Sequence, residues 1–266
     1  MKYYLGIDIG SISVNTVLID ENKRIIEASY DRIKGEPART AASAIARITS
    51  RCEITANATT GSGGKLIKGH FVNEIIAQAA ATSVLHPEVK SVIEIGGEDS
   101  KFIRLKDGKL ADFTTNTVCA AGTGSFLDQQ ASRLGLAIED FGQLALRSKH
   151  PPRIAGRCTV FAKSDMIHLQ QKGTPDFEIV AGLCFAVARN FISNAGKVKK
   201  WAKPISFQGG VAANAGVVKA FEQLLELAPG ELIIPEHFAS MGAIGAALSL
   251  IPPPLPLGEG ERGGEG

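Results

Sequence analysis

Apolar residues along this chain fall in short runs, broken by polar turns and by longer stretches of helical spacing. Residues 3–9 (YYLGIDI) and 13–20 (SVNTVLID) read as strands joined by a tight turn at Gly10-Ser11. Glu21-Asn22 turns the chain into a third strand over 24–30. A helix is expected near 38–50, a buried strand over 53–59 and an Ala-rich helix over 73–85, with Pro87 marking the break after it. The order then restarts. Strands are predicted over 91–95, 101–105 and 109–113, joined by Gly96-Gly97 and by an Asp107-Gly108 hairpin turn. Helices follow over 125–134, 139–146, 162–171 and 176–197. A strand over 205–208, a helix over 213–227, a strand over 231–234 and a closing helix over 241–250 complete the pattern.

The two restarts share one plan. YYLGIDIGSISVNTVLIDENKRI and SVIEIGGEDSKFIRLKDGKLADF each run apolar strand, turn with Gly and an acid, Ser, second strand, polar hairpin, third strand. Identities are few, so a duplication competes with the plain reading that strand–turn–strand runs look alike. Placed by its turn, Asp99 reads as the counterpart of Asp8.

Length and composition narrow the class. A chain of 266 residues is long for one domain and comfortable for two. Hydrophobic residues at 44% and charged residues at 21% support a packed core and exclude wholesale disorder. A formal net charge of +2 is too balanced for a protein whose main partner is nucleic acid. No apolar run reaches the roughly 18 residues of a membrane span, and Asp8 precedes any signal-like apolar core, so a cytoplasmic protein is expected. Four cysteines are no disulfide framework; in such a setting they pack, ligate metal or react. Residues 252–266 hold four Pro and five Gly and read as a disordered tail. The expected division is residues 1–88, residues 89–251 and this tail.

Candidate chemistry lies in the turns. No P-loop is present. The nearest stretch, Thr59 to Leu66, lacks the first Gly and the final Ser or Thr of that motif, and reads as a flexible surface loop. Gly6-Ile7-Asp8-Ile9-Gly10-Ser11 is more informative. A carboxylate inside an apolar strand needs a cation or hydrogen-bond donors, and small residues beside it let backbone N–H groups approach an anion. Glu94 to Lys101 repeats that chemistry. Phe207-Gln208-Gly209-Gly210-Val211-Ala212-Ala213-Asn214 follows a strand and opens a helix, a setting in which a phosphate or flat ligand can lie on the backbone. The small-residue run Met241 to Ala247 suits close helix packing.

Together these turns resemble the actin, Hsp70 and hexokinase superfamily of ATPases, over almost all of residues 3–250. The resemblance implies an α/β class: a duplicated ribonuclease H-like, actin-like ATPase fold with two lobes and a nucleotide cleft between them. It implies Mg-ATP in that cleft, with Asp8 and Asp99 as the catalytic carboxylates near Mg2+, through water. The nucleotide-binding residues it implies are Gly10, Ser11, Ile12, Ser13 and Asn15 in the first turn, and Gly97, Glu98, Ser100 and Lys101 in the second. Gly122, Thr123 and Gly124, then Gly209, Gly210, Val211 and Asn214, and finally Gly242 complete the set.

Cys119 (in VCAAGTGSF) and Cys158 (in GRCTVFAKSD) each precede a helix start, where the helix dipole favours thiolate. Cys52 and Cys184 lie in apolar surroundings and read as packing residues. Two thiolates are too few for a [4Fe–4S] cluster, but a twofold homodimer would supply four. On spacing alone, small buried residues are the competing reading.

VCAAGTGSFLDQQA, GRCTVFAKSD and FQGGVAANAGVV resemble the activators of 2-hydroxyacyl-CoA dehydratases, the family that includes the ATPase subunits of benzoyl-CoA reductase. The segment Ile179 to Cys184 (IVAGLC) also resembles a family phrase. The resemblance implies one [4Fe–4S] cluster per homodimer, held by Cys119 and Cys158 of each copy. It implies a ferredoxin or flavodoxin as electron donor and an iron–sulfur acyl-CoA dehydratase or reductase as acceptor, in an anaerobic setting, with neither nucleic acid nor membrane as partner. Two positions depart from the short activators: Asn15 where many have Lys, and Glu98 where many have Gln. Both make the phosphate site less positive. In this respect the chain looks closer to larger, multi-domain relatives, and the tail would then mark a chain cut short. The basic run Lys197, Lys199, Lys200 and Lys203 reads as a solvated face. Two rival classes remain open on the residues: a sugar or N-acetylglucosamine kinase of the same superfamily, and an assembly or chaperone ATPase.

Overall fold

The computed structural model describes residues 1–116, 122–156, 158–195 and 201–252. Cys119, Lys197, Lys199, Lys200 and the tail beyond Pro252 lie outside the described residues. The chain forms two five-stranded sheets that repeat one topology. The first contains β1 (Tyr3–Ile9), β2 (Ser13–Asp20), β3 (Ile25–Arg32), β4 (Ala56–Thr60) and β5 (His70–Phe71), in the order β3-β2-β1-β4-β5. The second contains β6 (Ser91–Ile95), β7 (Ser100–Lys106), β8 (Lys109–Asn116), β9 (Ile205–Gln208) and β10 (Leu232–Ile233), in the order β10-β9-β6-β7-β8. In both, the central strand pairs antiparallel with the next strand in sequence and parallel with one that returns from a distant helix. The repeat read in the sequence is therefore a repeat of whole sheets.

Helix α1 (Pro37–Thr49) covers the outer face of the first sheet through Ala41, Ala44 and Ile48, which meet Leu5, Ile7, Ile9, Val14 and Leu18. The second sheet carries α3 (Gly124–Leu134), α4 (Ile138–Leu146), α5 (Thr159–Gln171), α6 (Asp176–Ala195) and α7 (Ala215–Leu224) around the largest core, where Phe191, Phe207 and Phe221 stack edge to face.

Two helices lie between the sheets: α2 (Glu74–Leu85) and α8 (Met241–Leu248). Ile75 and Ala79 of α2 pack on Val92, Ile103 and Leu105 of the second sheet. Met241, Ala243, Ile244, Ala247 and Leu248 pack on Tyr4, Val17 and Ile19 of the first, so the last helix of the chain returns to the first sheet. All eight residues of α8 are buried, and its small residues permit that. A methyl group on Gly6 would overlap the carbonyl of Ala243, and one on Gly245 the carbonyl of Ala77.

Several boundaries differ from expectation for local reasons. The strand expected over 53–59 starts at Ala56, where its ladder with Tyr4 begins, and only Ala58 to Thr60 are buried. The helix expected over 213–227 ends at Leu224, and Glu226 takes a left-handed conformation (φ 50°) just beyond it. The helix expected from 162 begins at Thr159, one residue after Cys158. Lys203 is paired with Glu231 at 2.8 Å rather than only solvated.

Candidate active site

The β1–β2 and β6–β7 turns face each other where the two sheets meet. Each is a tight hairpin: Gly10 donates its N–H to Ser13 O (2.9 Å), and Gly96 to Asp99 O (3.0 Å). The tips touch. A side chain on Gly97 would run into Ile12 and would stand 3.1 Å from Ser11 Oγ. Glycine at 97 is thus required by the approach of the first hairpin, which places Ser11 and Ile12 beside Gly97.

The strand ladders correct one expected correspondence. Asp8 is the penultimate residue of β1, and its counterpart by position is Glu94, the penultimate residue of β6. Asp8 pairs across the ladder with Asn15, and Glu94 with Lys101. Asp99 instead sits in the hairpin tip, beside Gly96. The comparison by turn spacing misled because the second hairpin carries its acid after the glycines. Asn15, where many short activators have Lys, therefore has its repeat equivalent in Lys101.

Five ionisable groups gather around this junction. Lys101 Nζ lies 2.7 Å from Asp99 Oδ2, 2.9 Å from Glu74 Oε2 and 3.0 Å from Glu94 Oε2, and its side chain is only 8% exposed. The ammonium is held firmly protonated, because the attraction of Glu94, Asp99 and Glu74 overcomes its burial. Burial pushes Glu94 up to about 7, against the opposing pull of Lys101. Asp8 is also pushed up to about 7, by desolvation first and then by Glu74, with Lys101 again pulling the other way. Its carboxylate fits against Gly61 and Gly242, either of which would collide with it if substituted. Gly242 therefore makes room for Asp8. The cluster is rich in carboxylates and holds one fixed positive charge at its centre.

The stretch read as a flexible surface loop is anchored instead. Gly63 donates to Ile9 O at 2.8 Å, Gly64 to Gly61 O at 3.0 Å, and Gly61 (φ 86°) sits on Asp8 and Ile9. Gly61 and Gly63 serve close packing against β1, and Gly64 packs against Phe71 of β5 and Thr59 of β4.

On the far side of β6, Gly209 (φ 85°) lies over Ile95 O and Glu94, and donates to Phe238 O at 2.8 Å. Gly210 faces open space, and Val211 is buried. Asn214 does not point freely into the cleft. Its Oδ1 caps α7 by accepting from Val217 N at 3.1 Å, and it also receives the Cys184 thiol at 3.6 Å. Asn15 is buried, 3.5 Å from Ser240 Oγ and 3.4 Å from Ser13 Oγ. Ser100 is buried and Glu98 is exposed.

Helix α3 starts on the second hairpin. Gly124 N donates to Gly96 O (2.9 Å) and Ser125 N to Gly97 O (2.8 Å), with Thr123 buried as the N-cap residue. Gly122 abuts Asn190 Oδ1, and Asn190 Nδ2 donates to Gly156 O at 2.5 Å. One side chain of α6 thus touches the segment that follows Cys119 and the segment that precedes Cys158. Cys158 is half-buried at the start of α5, with Val160 and Phe161 exposed just beyond it. Cys184 is buried, its thiol pushed up to about 12 by desolvation, and Cys52 packs beside Ile48. Among the described residues no group of three or more His, Cys, Asp or Glu side chains is arranged to hold a metal ion. Glu74, Glu94 and Asn190 were missed as site residues; Glu94 alone had a signal, its acid-in-apolar-strand match to Asp8.

Paired sheets of repeated topology, with hairpins meeting over carboxylates, define an actin-like ATPase fold. Residues 5–249 match the BadF/BadG/BcrA/BcrD ATPase family, and the chain belongs to that family. It is 34% identical over 253 residues to the (R)-2-hydroxyglutaryl-CoA dehydratase activating ATPase of Acidaminococcus fermentans, covering 92% of this chain and 96% of that one. The crystal structure of the A. fermentans (R)-2-hydroxyglutaryl-CoA dehydratase component A superposes with a TM-score of 0.85 at 32% identity, over 94% of this chain and 97% of that one. The activator of the 2-hydroxyisocaproyl-CoA dehydratase from Clostridium difficile, solved with bound ADPNP, gives a TM-score of 0.86 at 28% identity, over 94% of each chain.

Proposed function

We propose that this ATPase is an activator that uses ATP to pass one low-potential electron to an acyl-CoA dehydratase or reductase. The observation that carries the reading is the shared hairpin: Gly97 meets Ile12 of the first lobe, while the carbonyls of Gly96 and Gly97 hold the first turn of α3, the helix that follows Cys119. A change at the phosphate end of the cleft thereby reaches the cysteine-bearing segment through two backbone hydrogen bonds. In this reading Asp8 and Asp99 hold Mg2+ through water, the hairpin N–H groups bind the phosphates, and the Gly209-Gly210 turn receives the adenosine.

Cys119 and Cys158 of two copies would hold a single [4Fe–4S] cluster on the dimer axis. When bound, that group supplies a one-electron carrier, loaded by a reduced ferredoxin or flavodoxin. Cys158 fits the role: it is half-buried and stands at the start of α5, open to a second copy. The exposed Val160 and Phe161 beside it suit a face covered by the second copy.

Anaerobic reconstitution with iron and sulfide tests this. The expected product is a brown dimer with about four iron atoms, the content of one shared cubane. Cys119→Ser and Cys158→Ser should each lose the iron while keeping ATP hydrolysis. A colourless dimer, or unchanged iron in both variants, would overturn the proposal.

A further inference from the structure

We infer that Lys101 is a positioning residue of the ATPase reaction: its ammonium ties Asp99 and Glu94 to Glu74 of α2 and does not bind phosphate. An ammonium has three N–H donors, and three carboxylates surround this one at 2.7, 2.9 and 3.0 Å. Two of them meet it as hydrogen bonds, Asp99 and Glu94. The three come from three elements. Glu94 stands opposite Lys101 on β6, Asp99 is in the hairpin tip, and Glu74 opens α2 just after its N-cap Asn73. Lys101 is thereby the joint between the phosphate hairpin of the second sheet and the helix that lies between the sheets.

A flexible lysine at a phosphate site usually reaches outward as a point charge. This one is sealed in, with 8% of its side chain exposed. Without its charge, Glu74, Glu94 and Asp99 would repel one another beside Asp8, and the hairpin would lose its fixed position against α2. Asn15, the repeat equivalent of Lys101 in the first sheet, carries no charge and faces no comparable cluster among the described residues. The asymmetry between the two hairpins is then functional: one is fastened to α2 and the other is not.

A double-mutant cycle in steady-state ATP hydrolysis tests the inference. Lys101→Met should lower kcat at least tenfold. Glu74→Gln should lower kcat at least threefold with KM for ATP within twofold of wild type, since Glu74 faces Lys101. The double variant should lose no more than Lys101→Met alone, because removing both charges removes one joint. Losses that multiply would show that Lys101 and Glu74 act independently, and a Lys101→Met variant that keeps kcat and raises only KM would show a direct phosphate ligand; either overturns the inference. If Lys101→Met does not fold, Lys101→Arg and Glu74→Gln form the same cycle. Unchanged kcat in Glu74→Gln is by itself a refutation.

Discussion

Ser125 donates its backbone N–H to the carbonyl oxygen of Gly97 at 2.8 Å, so α3 begins on the hairpin that also meets Ile12 of the first lobe. Gly97 has no room for a side chain on its inner side. Gly97→Val is expected to force the two hairpins apart and weaken ADP binding at least tenfold by isothermal titration calorimetry. Ile12→Ala in the same chain should recover part of that loss by vacating the space. Equal affinity in Gly97→Val and wild type would show that the hairpin contact does not shape the nucleotide site.

The raised carboxyls make the nucleotide-free protein pH-sensitive. Asp8 and Glu94 titrate near 7 when folded, against ordinary values of 3.8 and 4.5. Between those limits the folded state binds more protons than the unfolded state, so stability falls as pH rises. Their contribution is fully present below about pH 4 and is lost through pH 7. Thermal melts should therefore show the nucleotide-free protein less stable at pH 8 than at pH 6. Asp8→Asn, which cannot ionise, should reduce the difference while leaving the share of Glu94, and Mg-ATP should reduce it by neutralising the carboxylates. A wild-type melting temperature that rises from pH 6 to pH 8 would contradict this assignment.

Close packing of α8 gives a sharper stability test. Gly245 lies directly on the Ala77 carbonyl, while Gly210 has open space where a methyl group would go. Gly245→Ala must displace backbone and should destabilise by roughly 3 kcal/mol or more, the upper range for overpacking. Gly210→Ala should change stability by less than about 1 kcal/mol. Urea denaturation of the two variants measures the contrast, and equal midpoints would mean that α8 does not approach α2 as described.

What could be read from residues alone followed the strength of local patterning. The alternating apolar runs of β1, β2, β6 and β7, the turns between them and the small-residue stripe of α8 were legible because each is a short-range feature. The correspondence of Asp8 with Glu94 is hidden in the sequence, because it depends on strand register and the glycine turns of the two hairpins do not align with it. Glu74 is, in local terms, an ordinary first-turn acid at a helix N-terminus. Its meeting with Lys101 depends on how α2 crosses the second sheet, which no local pattern encodes. The glycines at 61 and 63 read as a surface loop for the same reason: the atoms they make room for belong to β1, distant in sequence.

Asn190 supplies the last test, of the link between the cysteine segments. Its Nδ2 donates to Gly156 O, and its Oδ1 lies against Gly122 and accepts from Asn194 at 2.8 Å. The residue is buried, so truncation leaves the Gly156 carbonyl short of a partner, at a cost of about 1–3 kcal/mol. Nothing about Asn190 touches the carboxylate cluster. Asn190→Ala is therefore expected to hydrolyse ATP within about threefold of wild type but to lose reconstituted iron to a chelator at least fivefold faster, followed by visible absorbance under anaerobic conditions. Asn190→Asp keeps the Oδ1 contact and should lie between the two. Iron loss at the wild-type rate in Asn190→Ala would mean that the segments flanking Cys119 and Cys158 hold their places without this side chain.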